Sequence, residues 1–150
     1  MTKLLVLLLL SPLAFAEKNE MVPLGDFLEQ AGELDNSESL YFNYRCLGLY
    51  TMMRGLWLNA PQKGANDTLM GIEAAQSDLI LISEFLYNEL TPKDERDFTD
   101  NMTRTASSIA KKYQLEANNS WTNNGSYFND FIMSDSQWCE VALKEFKKTN

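Results

Sequence analysis

The stretch LYFNYRCLGLYTMMRGLW, residues 40–57, carries apolar side chains on nearly every side of a helix. Two stripes at helical spacing run along it: Leu40, Tyr44, Leu47, Thr51 and Leu58 form one, and Phe42, Cys46, Leu49, Met53 and Leu56 form the other. A helix that packs on one layer needs one apolar stripe, whereas a helix that is apolar all round is enclosed by its neighbours. We therefore predict that this stretch is the central helix of an all-α protein.

Two glycines and two arginines refine the interpretation of this helix. Gly48 and Gly55 lie seven residues apart and share a face, and glycine inside a helix costs about 1 kcal/mol relative to alanine. Their placement therefore predicts a neighbouring backbone that comes close. The stretch is also long enough for a membrane span. Arg45 and Arg54 oppose that reading, because each arginine at a bilayer centre costs about 2.5–3.5 kcal/mol on insertion scales.

The N-terminal residues 1–16, MTKLLVLLLLSPLAFA, have the three parts of a secretory signal peptide. Lys3 supplies the positive start, residues 4–10 the apolar core, and residues 14–16 a small-x-small cleavage site. We expect cleavage before Glu17 and a periplasmic or secreted protein. Removal of Lys3 leaves 12 basic against 21 acidic residues, a net charge of −9. This balance disfavours nucleic acids and anionic membrane surfaces as partners, since both are bound by basic patches.

The mature chain of about 134 residues is long enough for one domain with its own core. Residues 17–36 are acidic and are punctuated by Pro23 and Gly25, which predicts a mobile leader that docks loosely. Residues 37–150 are predicted to form a single domain, an antiparallel bundle of four main helices. We expect no stable membrane insertion of the mature chain.

Caps and turns predict where the helices begin and end. Ser37 or Ser39 is the predicted N-cap of the central helix, and Asn66 or Asp67 that of the second. The second helix has an apolar stripe that Met70, Ala74 and Phe85 widen on one flank: Leu69, Ile72, Ala75, Leu79, Ile82, Leu86 and Leu90.

The third helix is predicted to begin at Thr91-Pro92 and to fray over residues 115–120. A polar loop, residues 121–125, then precedes the fourth helix, with Ser126 as its cap. Asp135 interrupts the apolar face of the fourth helix. It either caps a second helical segment after a break or points inward.

Cys46 and Cys139 are the two cysteines of a chain predicted to enter an oxidising compartment. An even count there predicts a disulfide, which would join the first and last main helices. Loop-closure entropy for about 90 residues predicts a stabilisation of about 4–5 kcal/mol.

The chain contains no histidine. This excludes Ser-His-Asp and Cys-His catalysis, histidine zinc sites and di-iron bundles with Glu-x-x-His pairs. Paired cysteines leave no thiol nucleophile or four-cysteine metal site, and no phosphate-binding glycine loop or EF-hand spacing occurs. We therefore expect no catalytic residue, metal or cofactor, and a protein that is not an enzyme.

The two arginines of the central helix require partners, because a buried guanidinium needs a carboxylate or hydrogen-bonded carbonyls. Asp135, Glu73, Asp78 and Glu84 are the candidate acids. We predict that Arg45 or Arg54 makes a bidentate contact with one of them. The alternative is that an arginine faces a cleft and binds an anionic ligand.

Acidic side chains also cluster at the start of the third helix, at Asp94, Glu95, Asp97 and Asp100. They complement the helix dipole there. The alternatives are a weak calcium site or an acid/base pair.

Trp121 stands in the predicted polar loop, where it either covers the end of the bundle or anchors a partner. Four Asn-x-Ser/Thr sequons would carry glycans in a eukaryotic secreted protein: Asn66, Asn101, Asn118 and Asn124.

The small, exported, helical form with two cysteines is similar to that of several periplasmic chaperones, inhibitors and immunity proteins, a likeness of architecture and not of motif. We expect a non-catalytic binding or interaction protein of inhibitor, immunity or chaperone-like type, with a protein partner. Two alternatives stay open. One is a small-molecule-binding bundle with a pocket beside Gly48 and Gly55 of the central helix. The other is a hydrolase that works through carboxylates with Arg45 or Arg54.

Overall fold

The computed structural model describes residues 21–59, 64–95 and 97–149. In these residues the chain forms five α-helices and no β-strand, which confirms the all-α prediction. The helices are α1 Leu24–Ala31, α2 Asn36–Leu58, α3 Ala65–Leu90, α4 Phe98–Asn124 and α5 Asp130–Thr149. The four predicted main helices correspond to α2–α5, and a fifth, short helix, α1, forms within the predicted leader. The predicted signal peptide, residues 1–16, lies outside the described residues.

The central helix α2 is enclosed as predicted. Residues 42–50 are all buried, and α3 and α4 make the most extensive contacts with α2. Helix α5 contacts α2 over a shorter stretch, and α1 packs on α5. None of the helices in the described ranges is long and apolar enough to cross a membrane.

The helix α2 begins two residues earlier than Ser37, and four residues earlier than Ser39, would place it. Asp35 is its N-cap: Asp35 Oδ1 accepts from the Glu38 N–H at 2.8 Å, and Glu38 Oε2 accepts from the Asp35 N–H at 3.0 Å. This capping box satisfies two backbone donors reciprocally, which a serine hydroxyl alone would not do. The predicted serine caps are therefore wrong.

The predicted start of α3 is also wrong. Gly64, with φ of +95°, precedes the helix in the left-handed conformation that glycine adopts without strain. Asn66 and Asp67 consequently lie inside the first turn, where the Asp67 carboxylate complements the helix dipole.

Helix α4 differs from the prediction at both ends. The Thr91-Pro92 start leads only into a 3₁₀ turn, Lys93–Glu95, and α4 is capped by Asp97, whose carboxylate accepts from the Asp100 N–H. The predicted fraying and polar loop are absent, because Ala117 and Ser120 are buried and hold the helix to the core. The helix ends at Gly125, with φ of +69°.

Helix α5 begins at Asp130 and not after Ser126. The side chain of Asn129 accepts from the Ile132 N–H at 2.9 Å, as an N-cap residue does. The helix continues without a break through residues 134–136. Asp135 therefore points inward and caps no second segment of α5.

The predicted disulfide is confirmed. Cys46 of α2 and Cys139 of α5 are bonded, both are fully buried, and their Cα atoms lie 5.5 Å apart. The bond joins residues 93 apart in the sequence and pins α5 across the central helix.

Of the two glycines expected to admit a close backbone, one does so. A Cβ atom at Gly48 would lie 2.5 Å from Ile109 Cγ2 and 3.1 Å from the backbone nitrogen of Ala110, so α4 packs directly on this position. A Cβ atom at Gly55 would meet nothing within 4 Å. The prediction is right for Gly48 and wrong for Gly55, which lies on the exposed side of α2.

These two positions form a matched pair for mutation. We expect Gly48→Ala to destabilise the protein by about 1–3 kcal/mol, because the added methyl group overpacks the contact with α4. Gly55→Ala should stabilise it by about 0.5–1 kcal/mol through helix propensity alone. Urea denaturation followed by circular dichroism measures both. Equal effects at the two positions would contradict the packing described here.

Candidate functional site

Arg45 and Asp135 form a fully buried ion pair between α2 and α5. Each side chain is 0% exposed, and Arg45 Nη2 lies 2.5 Å from Asp135 Oδ2. The Tyr113 hydroxyl of α4 donates to the same carboxylate oxygen, also at 2.5 Å, and accepts from Arg45 Nε at 3.1 Å. Three helices thus meet at one carboxylate.

The start of α1 is held by the same two charged groups. The Leu24 N–H donates to Asp135 Oδ1 at 2.7 Å, and both Nη1 and Nη2 of Arg45 donate to the Val22 carbonyl at 3.0 Å. Because the first N–H groups of a helix lack intrahelical acceptors, a carboxylate at that end is stabilising. Leu24 itself is fully buried. The attachment of this segment is tighter than the loose docking that the sequence predicted.

The cluster formed by Arg45, Tyr113 and Asp135 leaves no arginine donor unused. A guanidinium has five N–H donors, and the fifth bond runs from Arg45 Nη1 to the Tyr41 hydroxyl at 3.4 Å. The rings of Tyr41, Tyr113 and Phe131 lie 5.5–6.0 Å from Arg45 Cζ, within range of cation–π attraction.

The protonation states in this cluster follow from its contacts. Burial alone disfavours the charged guanidinium, but the Tyr113 and Tyr41 hydroxyls and the Asp135 carboxylate outweigh it and raise the pKa of Arg45. Burial also raises the pKa of Tyr113 above its ordinary value, against the opposing charge of Arg45. Arg45 is therefore a cation beside a neutral phenol. A cluster this closed and this saturated holds helices together and has no face on which to bind a ligand.

Arg54, the other arginine of α2, makes a surface pair. Its Nε and Nη2 both donate to Glu73 Oε1, at 3.0 and 2.9 Å, with the two side chains 41% and 51% exposed. The predicted bidentate contact with an acid occurs only in this form, with two donors on one oxygen. Asp78, a further candidate acid, pairs with Lys147 of α5 at 2.9 Å.

The Arg54–Glu73 pair borders a groove between α2, α3 and α4 with a volume of about 410 Å³. Thr51 and Gln76, which are hydrogen-bonded to each other, also line it. The groove is open to solvent, and neither Gly48 nor Gly55 lines it. At Gly48 the side chain of Ile109 fills the space.

Two of the four acidic side chains near the start of α4 contact residues of that helix. Asp94, Glu95, Asp97 and Asp100 are all exposed, Asp97 caps the helix, and Asp100 pairs with Arg104 at 2.8 Å. Across the described residues, no group of three or more His, Cys, Asp or Glu is placed to hold a metal ion.

Trp121 lies in α4 and not in a loop. It is 51% exposed, and one face of its indole stacks on Tyr127 with ring centroids 4.7 Å apart. The stacking packs the end of α4 against the connection to α5. Of the sequon residues, Asn101 is half-buried and its Oδ1 accepts from the Tyr44 hydroxyl at 2.8 Å. The other three are exposed.

The outer face of α3 is the feature that the sequence analysis misassigned. Met70, Leu81 and Phe85 are 68%, 63% and 65% exposed, and Ala74 is exposed between them. We name these four residues the α3 stripe. Met70, Ala74 and Phe85 were predicted to widen the buried face. The spacing of i, i+4, i+11 and i+15 nevertheless defines a second stripe, about opposite to the buried Ile72, Leu79 and Leu86.

Sequence reasoning also missed the role of Tyr113, to which it assigned no hydrogen-bond partner. The available signal was chemical, because a buried phenol usually finds a hydrogen-bond partner. Nothing in the sequence indicated that the backbone of Val22 and Leu24 would supply two further partners.

Comparison of this chain with protein-family models, curated proteins and solved structures finds no match. The functional interpretation therefore depends on the geometry of these surfaces.

We expect Asp135→Asn to destabilise the protein by about 3–5 kcal/mol, because it leaves the Arg45 charge buried without a counter-ion. The double variant Arg45→Met/Asp135→Leu removes both charges and should recover most of that loss. Glu73→Ala, which breaks the exposed pair, is the control and should change stability by less than about 1 kcal/mol. Urea denaturation at neutral pH measures all three, and a double variant no better than Asp135→Asn would oppose the assignment.

The buried tyrosines predict that the folded protein loses stability at alkaline pH. Burial, with a smaller effect of nearby Tyr87, raises the pKa of Tyr44 to about 12, and burial also raises the pKa values of Tyr50 and Tyr113. The unfolded chain loses these protons near pH 10, before the folded protein does. Stability is thus fully present below pH 10 and falls above it, by up to about 1.4 kcal/mol per pH unit for each such tyrosine.

Urea denaturation at increasing pH, with ultraviolet titration of the phenols, measures this loss. Tyr44→Phe should make the alkaline decline shallower. A decline that is unchanged in Tyr44→Phe would show that Tyr44 titrates normally.

Proposed function

We propose that the protein is an exported, non-catalytic interaction protein that binds a protein partner through the α3 stripe. The observation that carries the proposal is the exposure of Met70, Leu81 and Phe85 along one line of a helix whose other face is already packed on the core. Monomeric soluble proteins rarely expose large contiguous apolar patches unless they are binding sites.

The charged groups support a binding role over catalysis. Arg45 and Asp135 are saturated by partners inside the protein, and Arg54 and Glu73 neutralise each other. Of the acids at residues 94–100, Asp97 caps α4 and Asp100 pairs with Arg104. The chain also has no histidine. The groove beside Arg54 is lined by one carboxylate, that of Glu73, whereas glycoside hydrolysis uses a pair.

Export is supported by two features. Residues 1–16 have the pattern of a secretory signal peptide. The Cys46–Cys139 disulfide is typical of an oxidising compartment such as the periplasm or the cell exterior. Fractionation of the source cells with detection of the processed chain tests this part. Unprocessed protein in the reducing cytosol would overturn it.

A small-molecule-binding role is the second candidate, and the groove of about 410 Å³ beside Arg54 favours it. We place it second because the groove is open and its arginine is already paired with Glu73. Specific small-molecule sites generally bury most of their ligand.

Photo-crosslinking in the native compartment tests the interaction function. A photoreactive residue at Ala74, an exposed member of the α3 stripe, should give one discrete adduct with another protein. The same residue at Lys111, exposed on α4, is the matched control and should not. Leu81→Ser/Phe85→Ser should abolish the adduct.

These serine substitutions should change the free energy of unfolding by no more than about 0.5 kcal/mol each, because both side chains are exposed. Loss of the adduct therefore reports loss of binding and not unfolding. Equal adducts from Ala74 and Lys111, or none from Ala74, would contradict the proposal.

A further inference from the structure

The α3 stripe runs straight along the helix. Met70 and Leu81 are eleven residues apart, as are Ala74 and Phe85. Because eleven residues make nearly three complete helical turns, the four side chains drift little around the axis. At 1.5 Å per residue the stripe is about 22 Å long. A ridge of this shape fits a second helix packed alongside, whereas a compact ligand needs a concave site.

Acidic residues border the stripe on both sides. Glu73 and Glu84 lie on one side, and Asp67, Asp78 and Glu89 lie on the other, again at intervals of eleven. Helix α3 contains no lysine or arginine. Arg54 and Lys147 neutralise Glu73 and Asp78.

Three of these acids have no ion-pair partner among the described residues: Asp67, Glu84 and Glu89. All three are exposed. Asp67 lies near the beginning of the stripe, and Glu84 and Glu89 lie near its end. An apolar ridge between two rows of acids therefore selects for positive charge on whatever covers it.

Resting on the proposed function, we infer that the partner presents a cationic amphipathic helix, with apolar residues at i, i+4 and i+11 and lysine or arginine on both flanks. Such a helix covers Met70, Leu81 and Phe85 and places cations opposite Asp67, Glu84 and Glu89. A second copy of this chain does not fit, because pairing two α3 faces would bring like-charged rows together.

Two synthetic helical peptides test the inference. Each is about 18 residues long and spans about 27 Å, with the same leucine and alanine face. One carries lysine on its flanks and the other glutamate. Fluorescence anisotropy with the oxidised, full-length mature protein measures both affinities. We expect the lysine peptide to bind at least about tenfold more tightly, and to weaken as salt is added.

Protein variants separate the apolar from the charged contribution. Leu81→Ser/Phe85→Ser leaves the net charge unchanged and should reduce affinity for the lysine peptide by about tenfold or more. Asp67→Asn/Glu84→Gln/Glu89→Gln should reduce it severalfold. The control Glu29→Gln/Glu33→Gln/Asp94→Asn removes three exposed acids that lie outside α3 and should have much less effect.

Each contrary result overturns a defined part of the inference, either the cationic class of the partner or the specificity of the binding. If both peptides bind equally and both need Leu81 and Phe85, the cationic class is wrong and the interaction surface stands. If the lysine peptide binds the serine variant as tightly as the parent protein, its binding is unspecific charge attraction and the inference fails.

Sedimentation velocity decides the remaining alternative. We expect a monomer. A dimer that Leu81→Ser/Phe85→Ser dissociates would make a second copy the occupant of the stripe and overturn the cationic helix. Failure of the proposed function itself is read separately, from the absence of an Ala74 adduct.

Discussion

The buried ion pair between Arg45 and Asp135 is the contact on which the arrangement of the helices depends. Taking two charges out of water is costly, and the cost is offset only where good geometry and further hydrogen bonds satisfy both groups. That condition is met here, because all five guanidinium donors and both carboxylate oxygens have partners. The partners come from α1, α2, α4 and α5, so a change in the position of one helix would leave a buried charge unsatisfied.

The disulfide reinforces the same crossing. Cys46 follows Arg45 directly, and Cys139 lies one helical turn after Asp135, so the covalent bond and the ion pair join α2 to α5 side by side. The disulfide restricts the unfolded chain, whereas the ion pair selects the orientation of the folded one. Helix α3 takes no part in this cluster. It packs on α2 through ordinary apolar contacts, and Lys147 and Arg54 attach it at the surface.

The functional interpretation follows from a contrast, among the described residues, between the buried polar side chains, which have partners except for two serine hydroxyls, and the α3 stripe, which lacks them. The buried polar groups serve the fold, and the open groove contains charges that neutralise each other. The α3 stripe is different, because its apolar side chains and three of the acids beside it, Asp67, Glu84 and Glu89, have no counterpart within the described chain. Exposed apolar side chains bordered by unpaired charges are typical of a surface that binds a partner.

The sequence by itself determined the helical class, the enclosure of α2 and the disulfide. It also excluded the chemistries that histidine would have supplied. These features follow from local periodicity, from residue counts and from the presence or absence of particular side chains. Helix ends were predicted poorly, because several caps compete within a few residues and packing selects among them. Buried Ala117 and Ser120, for example, extend α4 through its asparagine-rich end.

Only the tertiary structure decided which acid meets Arg45, since Asp135 lies 90 residues away and four carboxylates were plausible partners. It also decided that backbone groups of Val22 and Leu24 complete the cluster. On α3 it decided which of two apolar faces is buried. Both faces have helical spacing, and the core of a small domain covers only one of them. The physical reason is the same in each case: periodicity is encoded within a few turns, whereas burial depends on which distant helices pack together.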